Sequence, residues 1–197
     1  MTNAAANPSD HDLILEIQAG SLDALGVIYD RHRRLVYRTA LAISNDPEAA
    51  ADLLQDVFLR LFRFANRVDP ERPLEPWLYR VTANQSYTWV KRHQRWTQPL
   101  EEIAEWLSSG TKNSPQYITE QDDESMMIQR AIGKLSLPQR VVVVMYYIND
   151  LSLNEIAEVL DIPEGTVKSR LHYGRNALKT YLGLDGKTSR EIQYEFT

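Results

Sequence analysis

The sequence predicts an all-α fold: two small helical domains joined by a flexible acidic linker. Apolar residues recur at helical spacing over most of the chain. Strand-like alternation is nearly absent, and only 8 of 197 residues are glycine. Between Thr97 and Ser125 the pattern lapses into polar, acidic sequence containing Ser108-Ser109-Gly110 and Ser114-Pro115. These observations divide the chain into a first domain over 10–96, a linker over 97–125, a second domain over 126–183 and a tail over 184–197.

Leu13, Ile14 and Ile17, then Leu25, Ile28 and Tyr29, trace a first helical pair broken at Gly20-Ser21, with Ser21 suited to cap the second member. Helix continues through Leu35 to Ile43 and stops at Ser44-Asn45-Asp46-Pro47. Pro47 and Glu48 open the next helix, whose apolar stripe is expected at Leu54, Phe58, Leu61 and Phe62. Val68 to Pro76 carries three prolines and reads as a loop before a helix from Trp77 to about Arg95. In the linker, Glu102, Ile103, Glu105, Trp106 and Leu107 fit one short amphipathic helix, but a solvated linker is the preferred reading. Met126 to Leu135 resumes as helix and Ser136-Leu137-Pro138 turns the chain. The run Val141 to Tyr147 has strand propensity, but no partner strand exists and Pro138 suits a helix start, so it is read as helix.

Composition excludes several classes of function. With no cysteine there are no disulfides, thiolate metal sites or thiol catalysis. The four histidines, His11, His32, His93 and His172, are scattered, so no metal and no cofactor are expected. No apolar run approaches the roughly 18 residues of a membrane span, so no membrane insertion is expected. Residues 1–10 lack the basic and apolar regions of a secretory signal, and a cytoplasmic location is expected. The net charge of −5 is uneven: residues 10–96 balance to zero, 97–125 carry −6, 126–183 carry +2 and the tail −1. The acidity therefore lives in the linker and leaves contact with DNA open.

The most informative stretch is Leu153 to Arg170. Ile156, Ala157 and Leu160 give one helix an apolar face; Asp161-Ile162-Pro163 ends it, and Glu164 suits the first turn of the next. Val167, Leu171 and Leu178 would dock that second helix. Thr166, Lys168, Ser169, Arg170, His172, Tyr173 and Arg175 are left for solvent or DNA. This is the pattern of a helix-turn-helix, whose second helix enters the major groove with hydroxyls and cations on phosphates and base edges. An ordinary helical hairpin with a solvated cationic face gives the same pattern.

Two further surfaces stand out. At about 100° per residue, Trp77, Arg80, Asn84, Thr88, Lys91, Arg92 and Arg95 share about one third of a helix circumference. Cations with an aromatic among them suit a nucleic-acid strand, as they also suit a solvated face beside a core tryptophan. On the preceding helix, Asp52, Gln55, Asp56 and Leu59 lie off the apolar stripe, a mixed surface suited to a protein partner or to solvent. An Asp52–Asp56 pair could hold a cation, but no histidine accompanies it.

Three motifs in order now carry a resemblance: Asp52-Leu53-Leu54-Gln55-Asp56-Val57-Phe58; Pro76-Trp77-Leu78-Tyr79-Arg80-Val81-Thr82-Ala83-Asn84; and Leu135-Ser136-Leu137-Pro138-Gln139-Arg140 leading to Glu155-Ile156-Ala157 and Gly165-Thr166-Val167-Lys168-Ser169-Arg170. From about Asp12 to Gly183 the chain resembles a bacterial RNA polymerase sigma factor of the extracytoplasmic-function (ECF) group, within the sigma-70 superfamily. The resemblance implies that Asp52, Gln55, Asp56 and Phe58 contact core RNA polymerase. It implies that Arg67, Trp77, Arg80, Asn84, Thr88, Lys91, Arg92 and Arg95, with the loop 67–75, meet the minus-ten promoter element as a melted strand holding a flipped base. It further implies that Thr166, Lys168, Ser169, Arg170, His172, Tyr173 and Arg175 read the minus-thirty-five element as duplex, that the acidic linker threads toward the polymerase channels, and that an anti-sigma factor or other regulator is a partner. Thr88 and His172-Tyr173-Gly174-Arg175 depart from the family pattern at positions expected to face DNA, so the promoter sequence is not transferable.

The alternative is a stand-alone helix-turn-helix regulator, which would bind a symmetric operator without polymerase. An enzyme finds no support: no nucleophile with its base, metal cluster or phosphate loop is present in the sequence.

Overall fold

The computed structural model describes residues 8–97 and 123–184, and among them every regular element is helical. The linker segment 102–107, with its alternative readings as solvated chain or short helix, and the tail beyond Leu184 lie outside the described residues. The first unit comprises α1 (Asp10–Gln18), α2 (Leu22–Ser44), α3 (Pro47–Arg63), a 3₁₀ turn (Ala65–Arg67) and α4 (Glu75–Thr97). The second comprises α5 (Asp123–Gly133), α6 (Leu137–Tyr147), α7 (Leu153–Leu160) and α8 (Glu164–Tyr181).

Local chemistry sets the boundaries. Ser9 caps α1 through the Asp12 amide in a reciprocal capping box, and Ser21 caps α2 through Ala24. Between them Gly20 takes φ +92°, a conformation that side chains disfavour. Asn45 ends α2 in the left-handed region; Asp46 then accepts from the Ala49 amide at 3.0 Å, with Pro47 opening α3. In the second unit Ser152 and Glu155 form another capping box on α7, and Asp161 closes that helix at φ 54°.

The core of the first unit gathers Leu13, Ile14 and Ile17 of α1 with Ile28 and Val36 of α2, Val57, Phe58 and Leu61 of α3, and Leu78 of α4. The stripe on α3 therefore runs through Leu53, Val57, Phe58 and Leu61, with Leu54 half-buried at its edge rather than in its centre. The loop before α4 is held down by Leu74, which is buried, and by the Gln18 amide, which donates to the carbonyls of Ala65 and Val68 at 3.1 and 3.0 Å.

In the second unit α6 is the central helix. Val141, Val142, Val143, Val144 and Met145 are all buried, because α5, α7 and α8 of its own unit and α2 and α4 of the first surround it. A helix enclosed on every side needs no polar face, so a continuous apolar run is its natural sequence. That enclosure outweighs the strand propensity of the valines.

The two units share a core. Ala42 and Ile43 of α2 and Tyr79, Ala83 and Val90 of α4 belong to the same buried cluster as Ile132, Leu135, Val141, Met145, Ile156 and Val159. Polar ties cross the seam. The Arg140 guanidinium donates to the Ile43 carbonyl at 2.7 Å, and Asn149 Nδ2 donates to Thr39 Oγ1 at 2.7 Å. Gly133 sits against Asn45 so closely that a Cβ there would lie 2.8 Å from its Nδ2.

Candidate nucleic-acid interface

Three exposed faces are built on this frame. On α3, packing of Leu53, Val57 and Leu61 turns Asp52, Gln55, Asp56 and Leu59 outward; all four are exposed, Leu59 by 51%. Phe58 is different. It is 4% exposed and meets the Tyr29 ring edge-on at 5.0 Å, so its expected direct contact with a partner is corrected to a core role beneath that face.

On α4, burial of Leu78, Ala83 and Val90 leaves Arg80, Asn84, Thr88, Lys91 and Arg92 exposed along one side, with Trp77 half-buried at its start. Thr88 Oγ1 donates to the Asn84 carbonyl at 2.8 Å, a local bond that sets the orientation of its hydroxyl. Lys91 Nζ lies 5.7 Å from the Tyr87 ring centroid, and Trp89 stacks on His93 at 3.9 Å. The Arg95 side chain lies outside the described residues. Arg67 is exposed on the loop, its guanidinium 5.2 Å from the Phe64 ring centroid. A cleft of about 480 Å³ opens here, and its lining adds Arg72 to Arg67, Trp77 and Arg80. Sequence reasoning assigned the loop but did not single out Arg72, because a lone exposed arginine carries no periodic signal.

On α8, Val167 and Leu171 are buried against the unit's core. Lys168, Ser169, His172 and Tyr173 are exposed, Tyr173 by 62%, while Thr166, Arg170 and Arg175 are half-buried at the edges of the face. Lys168 pairs with Glu164 at 2.9 Å one turn back, and Ser169 Oγ donates to the Thr166 carbonyl at 3.0 Å. Asn176 was not anticipated. It is exposed on the same side, and its Nδ2 lies 3.2 Å from His172 Nε2. Gly174, expected to face DNA, instead faces inward: a Cβ there would lie 2.8 Å from Val143 Cγ2, so it marks the crossing of α8 over α6. Beside this helix, burial raises the Tyr147 hydroxyl above its ordinary range, with the Arg175 cation acting in the opposite sense.

One grouping could in principle interest a cation. Asp10, His32 and Glu75 bring a donor atom each within 4.8 Å of one another. The scattered histidines concealed this, since the three residues are far apart in sequence. His32 Nε2 is 2.7 Å from Asp10 Oδ2, and Arg31 pairs with the same carboxylate, so that carboxylate already has two partners and serves to fasten α1 to α2.

Models of two protein families match the chain: Sigma-70 region 2 over residues 28–96 and Sigma-70 region 4 over residues 125–178. The ECF RNA polymerase sigma factor SigW of Bacillus subtilis is 30% identical over 178 residues, covering 86% of this chain and 94% of that protein. The chain is an ECF sigma factor of the sigma-70 superfamily. SigM of Mycobacterium tuberculosis, another ECF sigma factor, is 31% identical over 176 residues, covering 89% of this chain and 85% of its own. Among solved structures, CnrH in complex with the cytosolic domain of CnrY superposes with a TM-score of 0.63 at 23% identity, covering 89% of this chain and 98% of that one. The sigma factor RpoE of Bartonella quintana, in complex with the anti-sigma factor NepR, gives 0.60 at 23% identity, covering 78% and 92%. Both share the fold of this sigma factor. An alternative sigma factor works with core RNA polymerase on promoter DNA to initiate transcription. No helix among the described residues is long and apolar enough to cross a membrane.

Proposed function

We propose that the three exposed faces divide the work of promoter recognition. Asp52, Gln55 and Asp56, with Leu59 beside them, form the contact for core polymerase: a protein partner gains from an apolar group ringed by hydrogen-bonding ones. Arg67, Trp77, Arg80, Asn84, Thr88, Lys91, Arg92 and Arg95 take the minus-ten element as a melted strand. Cations neutralise its phosphates, and the cleft beside Trp77 offers a site for an extruded base, whose unstacking costs a few kcal/mol. Thr166, Lys168, Ser169, Arg170, His172, Tyr173 and Arg175, joined by Asn176, read the minus-thirty-five duplex from the major groove. The domains performing these tasks are 10–96 and 126–183, with 97–125 as tether.

The observation that carries this reading is the coexistence of a cationic α4 face and a helix-turn-helix in one chain whose two matched regions both belong to sigma factors. A free-standing regulator has no use for the first. Each contact surface is modest, and polymerase raises the effective concentration of one DNA contact once the other is made. The protein acts in the cytoplasm as a binding subunit without catalysis of its own. An anti-sigma factor is its natural regulator, as NepR is bound to RpoE in the solved complex.

Transcription from promoter DNA by core polymerase mixed with this protein tests the reading. Promoter-specific transcripts are expected only when both are present. Tight binding of the protein alone to a palindromic duplex, without holoenzyme formation, would overturn it in favour of the stand-alone regulator.

A further inference from the structure

Asp10, His32 and Glu75 come from three helices: Asp10 opens α1, His32 lies near the middle of α2, and Glu75 opens α4. Their donor atoms lie within 4.8 Å of one another. The imidazole is buried and both carboxylates are half-buried. Bonding within the group is uneven. One Asp10 oxygen pairs with Arg31, and the other lies 2.7 Å from His32 Nε2. Glu75 has no hydrogen bond and no ion pair among the described residues. A carboxylate partly withdrawn from water, beside a second carboxylate and without a donor of its own, attracts a cation. The buried imidazole nitrogen sets this group apart from a surface cluster of acids, because nitrogen selects for transition metals.

We propose that Asp10, His32 and Glu75 form a binding site for a divalent transition cation of the zinc class. Zinc accepts neutral imidazole and carboxylate ligands at about 2.0–2.2 Å, which sets neighbouring donors about 3–3.5 Å apart. A set already gathered within 4.8 Å reaches that spacing by small side-chain rotations. The cation enters between His32 Nε2 and Asp10 Oδ2, Glu75 supplies the third ligand, and water completes the coordination. Its two positive charges balance the two carboxylates. Arg31 keeps the other Asp10 oxygen and orients the carboxylate from outside, as supporting partners do around metal ligands. Magnesium and calcium fit poorly, because they call for oxygen ligands throughout. The site bears on the loop before α4. Glu75 follows that loop directly, and His11, next to Asp10, places Nδ1 3.2 Å from the Pro70 carbonyl and 3.4 Å from a Glu71 carboxylate oxygen. Cation binding therefore clamps the start of α1 and the end of the loop to α2. The inference stands on these three side chains and does not depend on which face meets polymerase or DNA.

The absence of cysteine removes the commonest competing ligand and makes a direct test clean. Zn²⁺ is titrated into the full chain, free of any affinity tag, and followed by calorimetry and thermal melting. One equivalent is expected to bind and to raise the melting temperature, and excess Mg²⁺ should not displace it. E75Q keeps the size of the side chain and removes a charged ligand. It is expected to weaken Zn²⁺ at least about tenfold, the cost of losing even a supporting partner, while helical circular dichroism and metal-free melting match the parent. Co²⁺ reports the nitrogen ligand: its visible absorption with the parent should change in H32Q, which should also lose one-equivalent Zn²⁺ binding. Parent-like Zn²⁺ affinity in E75Q overturns the proposal, because the metal then sits elsewhere, at His11, His93 or His172. Absence of one-equivalent binding in the parent overturns it as well. Should the buried position make H32Q fail to fold, D10N takes its place, and parent-like affinity in that variant is equally decisive against the site.

Discussion

The guanidinium of Arg140 donates to the carbonyl of Ile43, 97 residues earlier in the chain, at 2.7 Å, and it also holds the carbonyls of Gly133 and Leu135. One buried side chain therefore finishes the C-terminal end of α5 and pins the second unit to α2. Burial lowers the Arg140 pKa from its ordinary value, yet an arginine keeps its charge throughout the working range.

Replacing Arg140 with methionine should remove three hydrogen bonds and leave carbonyls unpaired in the seam. A loss of about 3 kcal/mol in stability is expected, given about 1–3 kcal/mol for each buried group left unsatisfied and partial relaxation. Lysine should not rescue it, because an ammonium cannot reach carbonyls on both sides with a planar fork. Urea titration of the three proteins checks this; stability in the lysine variant equal to the parent would show that charge alone, not the fork, holds the seam.

Gly174 yields a second expectation. A methyl group there would press on Val143 at 2.8 Å, well inside ordinary contact. Overpacking costs about 1–3 kcal/mol, and the better helix propensity of alanine returns about 1. G174A should therefore destabilise the protein by up to about 2 kcal/mol, and in a V143A background the same change should cost almost nothing. Thermal melts of the four members of this cycle measure the coupling; additive effects would refute a steric origin.

Much of this architecture was legible in the sequence because helix punctuation is local. Ser21, Asn45-Asp46-Pro47 and Asp161-Ile162-Pro163 mark ends through caps and backbone restriction, and the structure places breaks at each. The polar spacing on α4 and α8 likewise follows from helical periodicity. What escaped has no local signature. The Asn149–Thr39 bond joins residues 110 apart, and Asp10, His32 and Glu75 meet only because α1, α2 and α4 converge. Phe58 was legible as part of the apolar stripe and fills the core with its neighbour Val57; what its burial corrects is only the direct partner contact that the resemblance implied. Gly174 falls beside exposed Tyr173, and periodicity does not distinguish an absent side chain facing DNA from one facing Val143.

The capping boxes predict an acid limb. Hydrogen bonds from the Ser152 hydroxyl and amide hold the Glu155 carboxyl below its ordinary 4.5, and the same arrangement at Ser9 holds Asp12 below 3.8. A carboxylate depressed on folding contributes stability that is present above its unfolded pKa and is lost as pH falls through its folded value. Stability should thus decline below about pH 4.5. Replacing Ser152 with alanine should destabilise α7 near pH 7, and the gap between variant and parent should narrow toward about pH 3. Chemical denaturation across that range decides it; a gap independent of pH would mean that Glu155 takes no part in the cap.

The two DNA-facing surfaces and the α3 face should separate under mutation. Arg170 lies at the edge of the exposed side of α8, where a guanidinium can reach a guanine edge or a phosphate, and a good base contact is worth about 1–3 kcal/mol. Replacing Arg170 with alanine should therefore weaken minus-thirty-five duplex binding by the holoenzyme about tenfold or more, while affinity for core polymerase stays unchanged. Lys168 should act more weakly, because Glu164 already neutralises it at 2.9 Å and must be displaced or shared. Replacing Gln55 and Asp56 together should have the opposite profile. Both are exposed on α3 and contribute nothing to the core, so helical circular dichroism should be preserved while core polymerase affinity falls. Phe58 to alanine should lower both that affinity and the melting temperature, since it removes a ring packed on Tyr29 beneath the face. Polymerase pull-down, promoter gel shift and melting on the four variants distinguish these patterns; equal loss of polymerase and DNA binding in the Arg170 variant would contradict the division of labour between the two helical units.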